Sequence, residues 1–307
     1  MKTTPVTLDD IPRSVLAVPP LARNADLALD EYENCRLIGY LENGGVRTLM
    51  YGGNANFYNV GVYEYAGIVD FLEEQASEET WVIPSIGPDY GRMMDQADIL
   101  RRRAFPTAMI LPLQQQATVA GAEDGIRRCV DRFGRPVILY IKFEGFLSVE
   151  AIQRLVNDGL VAAIKYGIVR KNPSKDDYLA QLAQAVDKRM IISGIGERPA
   201  VVHMTEFGLA GFTSGSVCIA PRGSMAILAA LKAGEVAKAK KLRQRYMPLE
   251  DLRDEMNAIR VLHDAVRLAR IADTGPILPM LSNLSDEQCA KVEPVARALR
   301  AADEAMA

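Results

Sequence analysis

The sequence predicts a closed barrel of eight parallel strands alternating with helices, the (β/α)8 or TIM barrel, followed by a C-terminal helical extension. Three observations carry that expectation. Short apolar runs alternate with amphipathic helical stretches, which is the pattern of βα units and a parallel sheet. Eight such runs can be counted between residues 14 and 213. No Gly-x-Gly-x-x-Gly turn follows the first run and no acidic ribose reader is evident, which argues against an open dinucleotide-binding sheet.

In order, the strand candidates are 14–18 (SVLAV), 47–51 (RTLMY), 81–84 (WVIP), 107–111 (TAMIL), 137–141 (VILYI), 161–165 (VAAIK), 190–193 (MIIS) and 210–213 (AGFT). Between them, helical stretches are expected at 28–43, 61–76, 91–103, 121–133, 149–157, 174–187 and 198–207. Ser148 with Glu150, and Asp176 with Asp177, supply the acceptors and negative charge that favour a helix start. Asn43-Gly44-Gly45 supplies a stop. Beyond residue 222 the strands cease, and helices are expected at 222–232, 234–246, 248–271 and 285–305, with a surface crossing near Thr274-Gly275-Pro276 and Pro279. The domain division is set at 1–225 for a catalytic barrel and 226–307 for the extension.

Composition narrows the function. The 307 residues are 49% hydrophobic and carry a net charge of −3, so a large core can be buried and no basic footprint invites nucleic acid or an anionic membrane. Cys35, Cys129, Cys218 and Cys289 lack CxxC spacing, and no apolar, positively flanked leader precedes the first periodic segment, which points to a reducing, cytoplasmic compartment. His203 and His263 have no His or Cys partner at ligand spacing, so neither a metal nor a cofactor is expected. Both histidines read as surface or packing residues, and the absence of a GxSxG elbow disfavours a serine hydrolase.

In such a barrel the chemistry sits at the C-terminal ends of the strands. Lys165 ends the sixth strand within an apolar run. Desolvation there would lower its pKa, and a neutral amine can condense with a ketone. The other reading is a rim lysine whose stem packs while its head stays in water. Tyr140 and Lys142 stand two apart at the end of the fifth strand and so project to one side: a proton donor, or a core aromatic, and a cation that either lowers Lys165 further or pairs with Glu144 in solvent. The glycine-rich turn Gly52-Gly53-Asn54-Ala55-Asn56 after the second strand could cradle a carboxylate with its backbone N–H groups, although glycine turns are also ordinary loop punctuation.

From about Val15 to Asp286 these residues resemble the dihydrodipicolinate synthase and N-acetylneuraminate lyase family. The 52–56 turn matches that family's GTTGE-type loop in position, Tyr140 its strand-five tyrosine and Lys165 its Schiff-base lysine. Ser193-Gly194 and Gly211-Phe212-Thr213-Ser214-Gly215 resemble its later glycine turn and small-residue strand. The stretch GGNANFYNV and the run Lys165-Tyr166-Gly167-Ile168 are similar to the GGTGEFFSL and KDGI patterns of the 5-dehydro-4-deoxyglucarate dehydratase branch, which also carries a basic residue where Lys142 stands. Departures are equally specific. Asn54 removes the loop hydroxyl, Leu113 and Gln114 stand where synthases carry a pair of tyrosines, and 141–147 holds no arginine.

The resemblance implies a class I lyase acting on a 2-oxo acid such as pyruvate, of dehydratase or aldolase type. Lys165 is then the nucleophile and Tyr140 the acid/base, with Gly53, Asn54, Asn56, Lys142, Gly194 and Thr213 binding substrate. A homo-oligomer, dimer or tetramer, is expected with it. Loss of the loop hydroxyl and of the tyrosine pair, which in the family carry a proton relay, motivates the alternative of a catalytically silent barrel that binds a carboxylate ligand. A phosphate-binding isomerase is disfavoured, because Gly194-Ile195-Gly196-Glu197 puts an acid where phosphate would lie.

Overall fold

A computed structural model describes residues 1–306. All eight expected strands form: β1 (Leu16–Ala17), β2 (Thr48–Tyr51), β3 (Trp81–Ile86), β4 (Met109–Ile110), β5 (Val137–Ile141), β6 (Val161–Tyr166), β7 (Ile191–Ser193) and β8 (Gly211–Ser214). Each pairs in parallel with the next, and β1 pairs with β8, so the sheet closes on itself. Strand residues such as Leu49, Ile83, Met109, Leu139 and Ile164 are buried, as expected for strands sealed by helices on one face and by barrel contents on the other.

The intervening helices are α1 (Glu31–Asn43), α2 (Tyr65–Gln75), α3 (Tyr90–Arg101), α4 (Val119–Phe133), α5 (Val149–Asn157), α6 (Asp177–Ala185) and α7 (Glu197–Thr205). Their starts follow the anticipated chemistry. The Ser148 side chain accepts from Ala151 N–H and that of Asp176 from Leu179 N–H, satisfying donors that a helix leaves unpaired in its first turn. Gly44 caps α1, its N–H reaching carbonyls of the last turn.

The chain then runs through α8 (Pro221–Lys232), α9 (Val236–Arg243), α10 (Met247–Glu255), α11 (Ala258–Leu268) and α12 (Asp286–Glu304). The expected division at residue 225 falls inside α8. The single helix expected over 248–271 is in fact two. Asn257 adopts an extended backbone, and its side-chain oxygen accepts from the N–H groups of both Ile259 and Arg260, so it starts a new helix where the periodicity continues. Buried Asp264 then accepts from Leu284 N–H, Asn283 and Arg267, fixing the crossing to α12. Among the described residues no helix is long and apolar enough to cross a membrane.

Replacing Asn257 by Ala removes that cap. It should destabilise the protein by about 1 kcal/mol, seen as a lower urea midpoint with an unchanged slope.

Candidate active site

A bulge decides which residues of β5 and β6 face one another. Val137 pairs with Val161 but Ile138 with Ala163, so Ala162 is the extra residue; beyond it Leu139 pairs with Ile164 and Tyr140 with Lys165. Side chains alternate faces with a period of two, so this extra residue turns Lys165 to the side that Tyr140 occupies. Lys165 is 5% exposed, and its Nζ lies 4.4 Å from the centroid of the Tyr140 ring.

Two glycines make room for the pair. A Cβ on Gly194 would stand 2.6 Å from the Tyr166 carbonyl and 2.9 Å from Lys165 Cγ; one on Gly167 would stand 2.6 Å from Tyr140 Cε2. Gly194 also donates its N–H to the Tyr166 carbonyl. Burial, and secondarily the charge of Lys142, lower the Lys165 amine to about 7. The Tyr140 ring favours the ammonium form by about 2 kcal/mol at a desolvated site, less than the roughly 5 kcal/mol to which a fall from 10.5 to about 7 corresponds, so desolvation wins. Burial pushes the Tyr140 hydroxyl up to about 12, so it keeps its proton at neutral pH.

Lys142 stands at the exposed rim with its Nζ 5.6 Å from the centroid of Tyr58, and partial desolvation lowers its amine. It does not pair with Glu144, which is taken by Arg170; Arg170 also bonds Asp176, and Asp176 accepts from Tyr166. That network joins the loops after β5 and β6 beside the lysine and tyrosine.

Across the mouth, residues 53–56 form a turn closed by Asn56 N–H donating to Gly53 carbonyl. Among the described residues nothing accepts from the backbone N–H of Gly53, Asn54 or Ala55. The two asparagine side chains serve the loop. Asn54 donates to the Val18 carbonyl, while buried Asn56, held in the left-handed region at φ 56°, donates to the Leu278 carbonyl at 3.4 Å and accepts from Asn59. Thr213 is buried in β8 opposite Leu16 and shares no hydrogen bond with Lys165 or Tyr140. Lys165 is thus in contact with both Tyr140 and Gly194, and Lys142 is near enough to act on the amine, whereas the Asn56 side chain is taken up by loop contacts.

Three features escape the sequence. Tyr58 stands between the glycine turn and Lys142. His203 is buried with its ring nitrogen 2.8 Å from Ser193 Oγ. The third is a cluster at the ends of β7 and β8. Glu197 accepts from Ser214 at 2.6 Å and Ser224 at 2.5 Å, its other oxygen has no partner, and burial followed by the Glu250 charge raises its carboxyl to about 7. Glu250 in turn accepts from Ser216 and Arg253. The only trace of that last pair in the sequence is an i, i+3 spacing on one helix. Leu113 lines a separate cavity of about 580 Å³ with Tyr90, Met93 and Phe146, which Lys165 does not reach.

A closed eight-stranded barrel with a buried lysine facing a tyrosine on the next strand and a helical extension behind it defines a dihydrodipicolinate-synthase-like aldolase or lyase fold. The chain belongs to the Dihydrodipicolinate synthetase family, whose model matches residues 14–299. It is similar to the dihydrodipicolinate synthase of Oceanobacillus iheyensis, at 22% identity over 96% of this chain and 98% of that one with a TM-score of 0.85. It is also similar to YagE of Escherichia coli K12, a prophage protein of the dihydrodipicolinic acid synthase family solved in complex with pyruvate, at 20% identity over 93% and 98% of the two chains with a TM-score of 0.81. The 4-hydroxy-tetrahydrodipicolinate synthase of Methylacidiphilum fumariolicum matches at 15% identity over 96% and 99%, with a TM-score of 0.83. No curated protein matches the sequence.

A lysine whose folded pKa is lowered from 10.5 to about 7 binds fewer protons folded than unfolded between those values. Its cost to stability is full below pH 7 and fades as pH rises toward 10. Lys165→Met should therefore stabilise the protein, by several kcal/mol at pH 6 and progressively less above pH 7, as read from denaturant midpoints across that range.

Proposed function

We propose that the chain is a Schiff-base-forming lyase of the 2-oxo acids, with Lys165 as nucleophile. The observation that carries this reading is a buried amine lowered to about 7 and held against a protonated phenol. The Nζ lone pair attacks the ketone carbon, and the ketone oxygen, protonated, leaves as water. The resulting iminium draws electrons from the adjacent carbon, so that a carbon–carbon bond or a β-hydroxyl can break there. Tyr140 is assigned as the group that donates to the departing oxygen and recovers the proton later.

The substrate carboxylate is assigned to the unpaired N–H groups of Gly53, Asn54 and Ala55, with the Lys142 charge near. Pyruvate in YagE supports a 2-oxo acid of this kind. Dehydration of a sugar acid ranks above aldol cleavage, because GGNANFYNV and the Lys165–Ile168 run resemble the dehydratase branch. Asn54 brings no hydroxyl to the loop, so any relay beyond Tyr140 runs through another group, and Tyr58, whose hydroxyl feels the Tyr140 charge, is assigned to it. Assembly into dimers or tetramers, and a cytoplasmic location, belong to the same proposal.

Borohydride added with pyruvate should fix a covalent adduct on the peptide carrying Lys165 and leave Lys165→Ala unlabelled; mass spectrometry that finds no adduct with any 2-oxo acid would falsify the reading. The trapping rate should rise with pH through about 7, as the amine loses its proton, and then level off. Tyr140→Phe should still trap pyruvate but turn over about 10²- to 10⁴-fold more slowly, which steady-state kinetics on the substrate would register.

A further inference from the structure

The buried joint between the barrel and its extension brings two carboxylates to one guanidinium. Glu197 opens α7 and is fully buried, while Glu250 and Arg253 on α10 are 4% and 8% exposed. The hydroxyls of Ser214 on β8 and Ser224 on α8 both donate to the same Glu197 oxygen, at 2.6 and 2.5 Å. Its other oxygen, Oε2, is buried without a partner. Arg253 is committed to Glu250 Oε1 at 2.7 Å. Glu250 Oε2 lies against the backbone beside Glu197, where a Cβ on Gly196 would meet it at 2.9 Å.

The other ionisable groups nearby do not balance the second acid. Tyr246 and Cys218 feel the Glu197 charge, but burial keeps both protonated. Arg198, the next residue of α7, turns to Asp251 and Asp254. The helix start and the two hydroxyls favour an anion at Glu197; burial and the Glu250 charge outweigh them and raise its carboxyl to about 7. A proton on Glu197 leaves the trio with Glu250 and Arg253 neutral, whereas its loss strands a buried negative charge.

The cluster reaches the mouth of the barrel through hydrogen bonds. The Ser214 carbonyl accepts from Val18 N–H at 2.9 Å, and the Val18 carbonyl accepts from Asn54 Nδ2 at 3.0 Å, in the glycine turn. A Cβ on Gly215 would stand 2.7 Å from Arg253 Nη2 and 3.0 Å from Asn54 Nδ2, so guanidinium and amide close on one glycine. A shift of Ser214 or of Arg253 is therefore passed to the turn whose N–H groups are assigned to the substrate carboxylate.

We infer that Glu197 is a positioning residue that acts in its protonated form: uncharged, it holds the end of β8 to the extension and keeps the glycine turn in its binding shape, and its ionisation disturbs that turn. The inference rests on the proposed chemistry of Lys165 and adds to it a control on substrate binding.

The test is borohydride trapping of pyruvate by the intact chain, with the half-saturating pyruvate concentration measured from pH 6 to pH 9. Lys165 titrates in every variant, so its effect cancels in the ratio of wild type to Glu197→Gln, an isostere that stays uncharged. That ratio should be about one at pH 6 and rise about tenfold by pH 9. Ser224→Ala removes a donor that favours the Glu197 anion, so it should move the loss of binding to higher pH; compared directly with the wild type, it carries the test if the glutamine variant does not fold. A flat ratio, a glutamine variant already weakened at pH 6, or a loss that Ser224→Ala does not move overturns the role of Glu197 and leaves the Schiff-base reading standing. Absence of any adduct overturns both.

Discussion

The site depends on the removal of one amine from water. Lys165 sits among strand residues with its nitrogen over the Tyr140 ring, and no acidic group acts on it strongly enough to offset the desolvation. The surrounding architecture maintains that state. Gly194 and Gly167 permit the close approach of backbone and ring, and Lys142 adds like charge from the rim. A carboxylate in place of either glycine would shift the balance back toward the ammonium, because a nearby opposite charge stabilises it.

Opposite this dry amine the glycine turn keeps three backbone donors unpaired while its side chains brace the loop. The division of labour is economical in chemical terms: amide side chains satisfy carbonyls of neighbouring loops, and main-chain N–H groups stay available for an anion. Behind β7 and β8, Glu197, Glu250 and Arg253 join the barrel to its extension through buried hydroxyls on Ser214, Ser216 and Ser224. The extension is therefore part of the mouth of the barrel as well as a cover for it.

Much of this was legible in the residues. All eight apolar runs became strands, because a strand buried on both faces must be apolar throughout, and the caps at Ser148 and Asp176 act as their chemistry predicts. Lys165 and Tyr140 could be singled out because strand ends in such a barrel converge on one mouth. Asn257 was hidden, since an extended residue inside a continuous apolar period leaves no mark on that period. The role of Asn56 was hidden too: whether an amide faces a substrate or a neighbouring loop depends on contacts such as that with Leu278, distant in the chain.

The sequence by itself determined the alternation that closes the barrel, because local hydrophobic period and strand length suffice for it; Lys165 and Tyr140 were singled out by their places at strand ends taken together with the family resemblance. Tertiary structure alone decided that the two groups meet. The bulge at Ala162 changes by one the count along β6, and a strand whose side chains alternate every residue then presents Lys165 to Tyr140 instead of to the opposite face. It alone decided, too, that Arg253, far along the chain on α10, stands beside Gly215, since packing between helices and strand ends has no local signature.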